Sequence, residues 1–320
     1  MMTLAEKIIS GDIQAAARLI TLLEDGSPEA LTEIDALYSH TGKAGIVGIT
    51  GAPGTGKSTL TDNLVSSFRV HEKSVGVVAI DPTSALTGGA LLGDRIRMQR
   101  HSADSQVFIR SLATRGWSGG LARATLGAVR VMDAMGKDII LVETVGSGQV
   151  ELDIFRAADT TLVVLTPGSG DDIQIMKAGI LEVVNIFVVN KSDKEGADHL
   201  KSDIEAMLSV ANRSNEEWEP PIVLTEAIHD KGTAELTEVI LKHRDYLLSG
   251  GGMEQRRRER VKLELLENVE GFIKDHLSTI KMSAEFEKMV DDLLKGGTVP
   301  RRAAEELIDL LVEKRRKEED

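Results

Sequence analysis

The chain has 320 residues, 42% hydrophobic and 28% charged, which is enough apolar material for a packed core and argues against general disorder. Lys and Arg number 38 against 51 Asp and Glu, a net charge of −13, which disfavours sequence-independent binding to DNA or RNA. There is no cysteine, so disulfides, thiolate metal sites, iron–sulfur clusters and cysteine nucleophiles are excluded. The opening residues Met1 to Lys7 carry an early acid and no long apolar stretch. No run reaches the ~18 apolar residues of a membrane-spanning helix. The expectation is a soluble, cytoplasmic protein that acts off the membrane and without nucleic acid.

Residues 4–38 have helical spacing, with Leu4, Ile8, Ala15, Leu19, Leu22 and Leu23 at steps of three and four. Gly26-Ser27-Pro28 interrupts the stripe, which predicts two helices in an N-terminal extension over 1–41. From residue 45 short apolar runs alternate with helical patterns. The runs are 46–49, 75–80, 139–142, 161–165, 186–189 and 222–224. Uninterrupted apolar runs fit strands buried on both faces, and so predict an α/β domain over 42–248 with a mainly parallel sheet flanked by helices. Ligands on such sheets sit beyond the carboxyl ends of the strands, so the polar residues after each run are the ones to inspect. Ser249-Gly250-Gly251-Gly252 is a break. Beyond it a stripe of Val261, Leu265, Val269, Phe272 and Ile273, a second segment around Met289 to Leu294, and a third opened by Pro300 predict a helical arm over 249–320. Its core is small for about 70 residues, so it is expected to pack on a partner. Arg256-Arg257-Arg258 and Lys314-Arg315-Arg316-Lys317 read as solvated helix faces.

After the first run comes Gly51-Ala52-Pro53-Gly54-Thr55-Gly56-Lys57-Ser58, then Thr59 and a helical stripe of Leu60, Leu64 and Phe68. This is G-x-x-x-x-G-K-[ST] between a strand and a helix, the context in which the motif acts as a phosphate cradle of the P-loop NTPase fold. Glycines let backbone N–H groups curl around phosphates, and the helix N-terminus adds a favourable dipole. Lys57 would neutralise the β- and γ-phosphates and Ser58 would offer a hydroxyl to Mg²⁺. Asp81 and Glu143 close two further runs, and Asp94 lies in the glycine-rich stretch 88–94. Taken singly, each acid is an ordinary cap or surface residue. Beside a P-loop, with Ser58, they form the oxygen donor set that Mg²⁺ takes.

Asn190-Lys191-Ser192-Asp193 follows the run 186–189. A carboxylate at Asp193 can accept from guanine N1–H and N2 together, whereas adenine has neither donor, so this site selects GTP and GDP over ATP. Asn190 would hold the loop and the Lys191 stem would cover one face of the base. Glu143-Thr144-Val145-Gly146 has acid-x-x-Gly spacing, so that the Gly146 N–H can bond a γ-phosphate and release when it is lost. Gln149 is a candidate for orienting the attacking water. Arg95, Arg97, Arg110 and Arg115 are candidates for a catalytic arginine and equally for surface ion pairs. The seven histidines show no metal-ligand spacing.

Taken together the P-loop, Asp81-Pro82-Thr83-Ser84, the stretch 87–98, Ala113-Thr114-Arg115-Gly116, the stretch 142–149, Pro167-Gly168-Ser169-Gly170-Asp171-Asp172-Ile173-Gln174 and Asn190 to Asp193 resemble the MeaB/ArgK family of P-loop GTPases. The resemblance covers the chain from about residue 4 to the last helices. It implies a homodimeric GTPase that gates a cobalamin-dependent acyl-CoA mutase. It assigns Lys57, Ser58, Asp81, Asp94 and Glu143 to phosphate and Mg²⁺, and Asn190 and Asp193 to guanine. It makes 167–177 a partner-sensitive switch with Gln174 and Lys177 as working residues, and the last helices a dimerisation arm. Where many members have Ser-Ala, this chain has Thr225-Glu226-Ala227, so that Ala227 N–H is expected to meet the guanine carbonyl beside an altered Glu226. Two other readings of the same P-loop are a kinase or ATPase linked to amino-acid transport and a metallochaperone GTPase. The second lacks the Cys or clustered His that a nickel site uses.

Overall fold

A computed structural model describes residues 2–81, 99–113, 118–144, 158–168, 184–210, 218–281 and 283–319. The described chain forms two compact units, 1–264 and 265–320.

The first unit opens with three helices: α1 (Leu4–Ile9), α2 (Ile13–Glu24) and α3 (Pro28–Leu37). The sequence spacing predicts two. The additional break falls at Gly11, whose φ of 89° ends α1, and at Asp12, whose carboxylate caps α2 by accepting from Gln14 N and Ala15 N. Six further elements carry the sheet's first half: β1 (Gly45–Thr50), α4 (Lys57–Val70), β2 (Val75–Asp81), β3 (Val107–Ala113), α5 (Ser118–Ala134) and β4 (Ile139–Glu143). The second half adds β5 (Thr160–Leu165), β6 (Ile186–Asn190), α6 (Ala197–Val210), β7 (Ile222–Thr225) and α7 (Thr233–Ser249).

The seven strands lie in the order β3-β2-β4-β1-β5-β6-β7, and every pairing is parallel. Six of them coincide with the apolar runs. The seventh, β3, has no such run because Arg110 and Ser111 interrupt its apolar pattern. It is an edge strand, where polar positions are tolerated, and Arg110 reaches Glu24 of α2 at 2.7 Å.

Alternation along the strands assigns the two faces. Ile46, Val78, Ile80, Ile140 and Val142 pack against the N-terminal helices and α5. Their chain neighbours Val47, Ile49, Val77, Ile139 and Leu141 pack against Leu60, Leu64 and Phe68 of α4 and Leu236 and Ile240 of α7. Val163, Leu165, Phe187 and Val189 cover Ala197 and Ile204 of α6. Burial on both faces is why these strands read as continuous apolar runs.

The helix α8 (Gly252–Lys281) starts in this first unit. Arg257 and Arg258 are exposed, but Arg256 departs from the expected solvated face: it is half-buried, and that burial lowers its pKa, while Arg260 turns inward to Asp159 at 2.6 Å. The second unit contains α9 (Ala284–Leu294), capped by Ser283, and α10 (Pro300–Glu319). The side chains of 314–317 lie outside the described residues. Among the described residues no helix is long and apolar enough to cross a membrane.

Candidate functional site

The parallel register decides which strand ends meet. Ile49 of β1 is level with Glu143, the last residue of β4, and Ala79 of β2 is level with the same Glu143. On the other side Asn190, the last residue of β6, is level with Thr225, the last of β7. The carboxyl ends of β1, β4, β6 and β7 therefore border one edge of the sheet, where the P-loop leaves β1.

That loop is shaped by glycine at two positions where a side chain could not stand. Gly51 has φ 147°, and a Cβ there would run into the Val164 carbonyl oxygen. Gly56 has φ 95°, and a Cβ would strike the Asn190 amide nitrogen. Gly56 is also the N-cap of α4 and brings no side chain to the cap. The first amides of α4 thus face the loop without a capping side chain from Gly56, the arrangement that favours an anion. Lys57 is buried, and its Nζ donates to the carbonyls of Gly51 at 2.7 Å and Ala52 at 3.1 Å. Thr55 Oγ1 donates to Ala52 O at 2.9 Å. Ser58 Oγ donates to Glu143 Oε1 at 2.6 Å, and Glu143 is buried. A hydroxyl and a carboxylate at this distance are hard oxygen donors, and their chemistry fits Mg²⁺.

The second half of the site is organised around Asn190, which is only 2% exposed. Its Nδ2 donates to Thr55 O at 2.7 Å. Its Oδ1 accepts from Ala227 N at 3.0 Å and from Thr225 Oγ1 at 3.1 Å. One amide thus joins the P-loop, β6 and the loop after β7. Lys191 stands in the left-handed region, φ 57°, and its Nζ donates to Gly54 O at 2.7 Å. The Ala227 N–H, expected to meet a guanine carbonyl, donates here to Asn190. Glu226 is held by Lys231 at 2.9 Å and His229 at 3.3 Å, and the Lys231 hydrogen bond keeps its carboxyl below the usual range.

These pieces border one cleft of about 460 Å³. Its floor carries Pro53, Gly54, Gly56, Lys57, Ser58 and Thr59. Glu143 and Thr144 line one side, and Asn190, Lys191, Asp193, Glu226 and Ala227 line the other. Asp81 ends β2, with its side chain outside the described residues, as are Asp94, Gly146, Gln149, Gln174, Lys177, Arg95, Arg97 and Arg115. Arg110 is committed to Glu24, away from the cleft.

Thr225, in the stretch set against the family's Ser-Ala, supports Asn190, and one contributor belongs to no sequence motif. Asn63 of α4 donates Nδ2 to Ala227 O at 2.7 Å. A signal exists for it: Asn63 sits on the same stripe as Leu60 and Leu64, and a polar residue on a buried helix face needs a partner.

With this geometry in place the comparisons are decisive. Residues 16–282 match the family model of the methylmalonyl Co-A mutase-associated GTPase MeaB. The chain belongs to the MeaB family of GTPases. A Pyrococcus abyssi protein provisionally described as a GTPase is 48% identical over 311 residues, covering 97% of this chain and 96% of its own. The GTPase ArgK of Escherichia coli is 32% identical, covering 86% of each chain. The methylmalonic aciduria type A homolog, mitochondrial, of Caenorhabditis elegans is 30% identical, covering 95% of this chain and 81% of its own. A crystal structure of a LAO/AO transport system kinase superposes with a TM-score of 0.70 over 96% of both chains at 22% identity, which establishes a common fold. This MeaB-family member is accordingly a P-loop GTP hydrolase in class, and the family's description names an association with methylmalonyl-CoA mutase.

Proposed function

We propose that this MeaB-family GTPase converts GTP to GDP and phosphate with Mg²⁺ and uses that cycle to gate a cobalamin-dependent acyl-CoA mutase such as methylmalonyl-CoA mutase. The observation that carries the reading is the single cleft shared by the P-loop, the Ser58–Glu143 pair and Asn190 with Asp193. Bound Mg²⁺ supplies charge neutralisation for the β- and γ-phosphates, and Ser58 and Glu143 are the residues that would hold it, with Asp81 and Asp94 as the further acids of the set.

The chain's own groups account for the rest. The P-loop from Gly51 to Thr59 and the start of α4 present amides to the phosphates. Lys57 releases the Gly51 and Ala52 carbonyls to meet the β- and γ-oxygens. Asp193 accepts from the guanine N1–H and N2, Asn190 fixes the loops that frame the base, and the Lys191 stem covers a base face. Gly146 reads the γ-phosphate, and Gln149 orients the attacking water. Lys177, in the partner-sensitive segment, links turnover to the mutase. We assign 1–41 as an extension, 42–248 as the GTPase body and 249–320 as the arm of a homodimer.

Calorimetry with GTP, GDP and ATP, with and without magnesium, tests binding. Phosphate release with and without an added acyl-CoA mutase tests the gate. GTP-selective, magnesium-dependent binding and a turnover that changes with the mutase are expected. Equal use of ATP and GTP overturns the base reading, and transfer of the γ-phosphate to a protein or metabolite in place of water favours the kinase reading.

A further inference from the structure

The Ala227 residue is clamped from both ends by asparagine side chains. Its N–H donates to Asn190 Oδ1 at 3.0 Å, and its carbonyl accepts from Asn63 Nδ2 at 2.7 Å. Asn190 is part of the base-side motif. Asn63 is not: it lies on α4, about 1.7 turns beyond the P-loop lysine, and is 5% exposed. Its remaining acceptor is also used, because Arg100 Nη2 donates to Asn63 Oδ1 at 2.9 Å. Arg100 is itself fixed by Asp62 Oδ2 at 2.7 Å, with its side chain 48% exposed. Asn63 therefore has an orientation set from outside: the arginine can only donate, so it holds Oδ1 outward and aims Nδ2 at Ala227.

We propose that Asn63 is a positioning residue for nucleobase recognition, acting through the Ala227 carbonyl, with Arg100 fixing which way its amide points. This rests on the cleft being the guanine nucleotide site. The physical reason is the asymmetry of a buried hydrogen bond. The loop 226–229 lines the cleft at Glu226, Ala227, Ile228 and His229. Loss of the Asn63 donor leaves the buried Ala227 carbonyl with only the longer 3.3 Å bond from Asp230 N within its own turn, and removes the side-chain tie from α4, so the loop shifts toward water. Such a shift alters the base side of the cleft. The phosphate side keeps Lys57, Ser58 and Glu143, which are held by contacts of their own.

The test uses the full chain and two variants. Asn63→Ala removes the donor inside the core. Arg100→Met removes the half-exposed orienting cation together with its Asp62 ion pair, leaves Asp62 with His101 at 3.0 Å, and serves if the first variant does not accumulate. Fluorescent GDP and GTP titrations give affinity, and competition by inorganic tripolyphosphate isolates the phosphate side. For Asn63→Ala the GTP and GDP Kd rise about tenfold, the preference for GTP over ATP narrows by a similar factor, and tripolyphosphate competition and the saturated kcat stay within about twofold. Arg100→Met moves the same quantities in the same direction by a smaller factor, and Asn63→Asp, which places an acceptor against the Ala227 carbonyl, is at least as damaging as Asn63→Ala. Unchanged GTP affinity and base preference in Arg100→Met and in any folded Asn63 variant overturn the proposal. So does a parallel loss of tripolyphosphate binding, which marks a general structural role. The unsubstituted protein separates this from the functional reading. Failure of the wild type to prefer GTP removes the base site itself, whereas a GTP-selective wild type with indifferent variants removes only Asn63.

Discussion

Ser58 Oγ lies 2.6 Å from Glu143 Oε1, joining the first turn of the P-loop helix to the end of the neighbouring strand. The contact follows from the parallel register that sets Ile49 level with Glu143, so two residues 85 positions apart share one oxygen donor site. Replacing Glu143 with Gln keeps the shape and removes the charge. The expected outcome is a loss of about 100-fold in kcat with a higher magnesium requirement, measured by phosphate release across a magnesium titration. Retention of full activity at low magnesium removes Glu143 from the metal site.

Lys57 touches two carbonyls of its own loop. It therefore holds the cradle closed as well as offering charge. Lys57→Ala is expected to weaken GTP binding by about 100-fold or more and to weaken guanosine binding far less, since the base side is built from other residues. Calorimetry with the two ligands separates the effects. An equal loss for guanosine means the substitution has collapsed the loop.

Asp193 lines the same cleft as the P-loop. Asp193→Asn exchanges an acceptor for a group that also donates, and it meets the two donor groups of guanine badly. GTP affinity is expected to fall about 100-fold, while a triphosphate of xanthine, which carries a carbonyl in place of the amine, loses less or gains. Competition assays with the two nucleotides check this, and an unaltered preference for GTP excludes Asp193 as the reader of the base.

His243 is buried on α7, within 2.8 Å of Thr160 Oγ1 and edge-on to Trp218 at 4.7 Å. Burial, with the charge of Arg256 adding to it, pushes its pKa down to about 4 from 6.5. The unfolded chain takes up the proton first as pH falls, so this residue's contribution is fully present above pH 6.5 and is lost between about 6.5 and 4. The loss approaches about 3 kcal/mol across that window, because each pH unit between the folded and unfolded values is worth about 1.4 kcal/mol. Urea unfolding at several pH values is expected to show this slope, and His243→Gln is expected to flatten it. An equal slope in the variant assigns the acid sensitivity elsewhere.

The legible part of the site was the part built from contiguous residues. The P-loop and Asn190 to Asp193 each carry their chemistry within eight residues or fewer, because a loop that wraps a phosphate or a base edge does so with its own backbone. The apolar runs were legible as strands for a similar reason, since each is buried on both faces whatever its neighbours are. β3 escaped because Arg110 is satisfied by Glu24 from a different helix. The break at Gly11-Asp12 escaped because the apolar spacing runs straight through it.

Sequence alone determined that this chain has a P-loop, a polar Asn190 to Asp193 loop at the end of a later strand, and a parallel sheet to carry them. Each of these is a local pattern whose physics closes within one strand, one turn and one helix. Tertiary structure alone decided that Glu143 meets Ser58, that Asn190 ties the P-loop to Ala227, and that Asn63 holds the other end of that residue. Those pairings depend on strand order and register, and a hydrogen bond between groups 37 to 164 positions apart exists only once the sheet has set the two ends side by side.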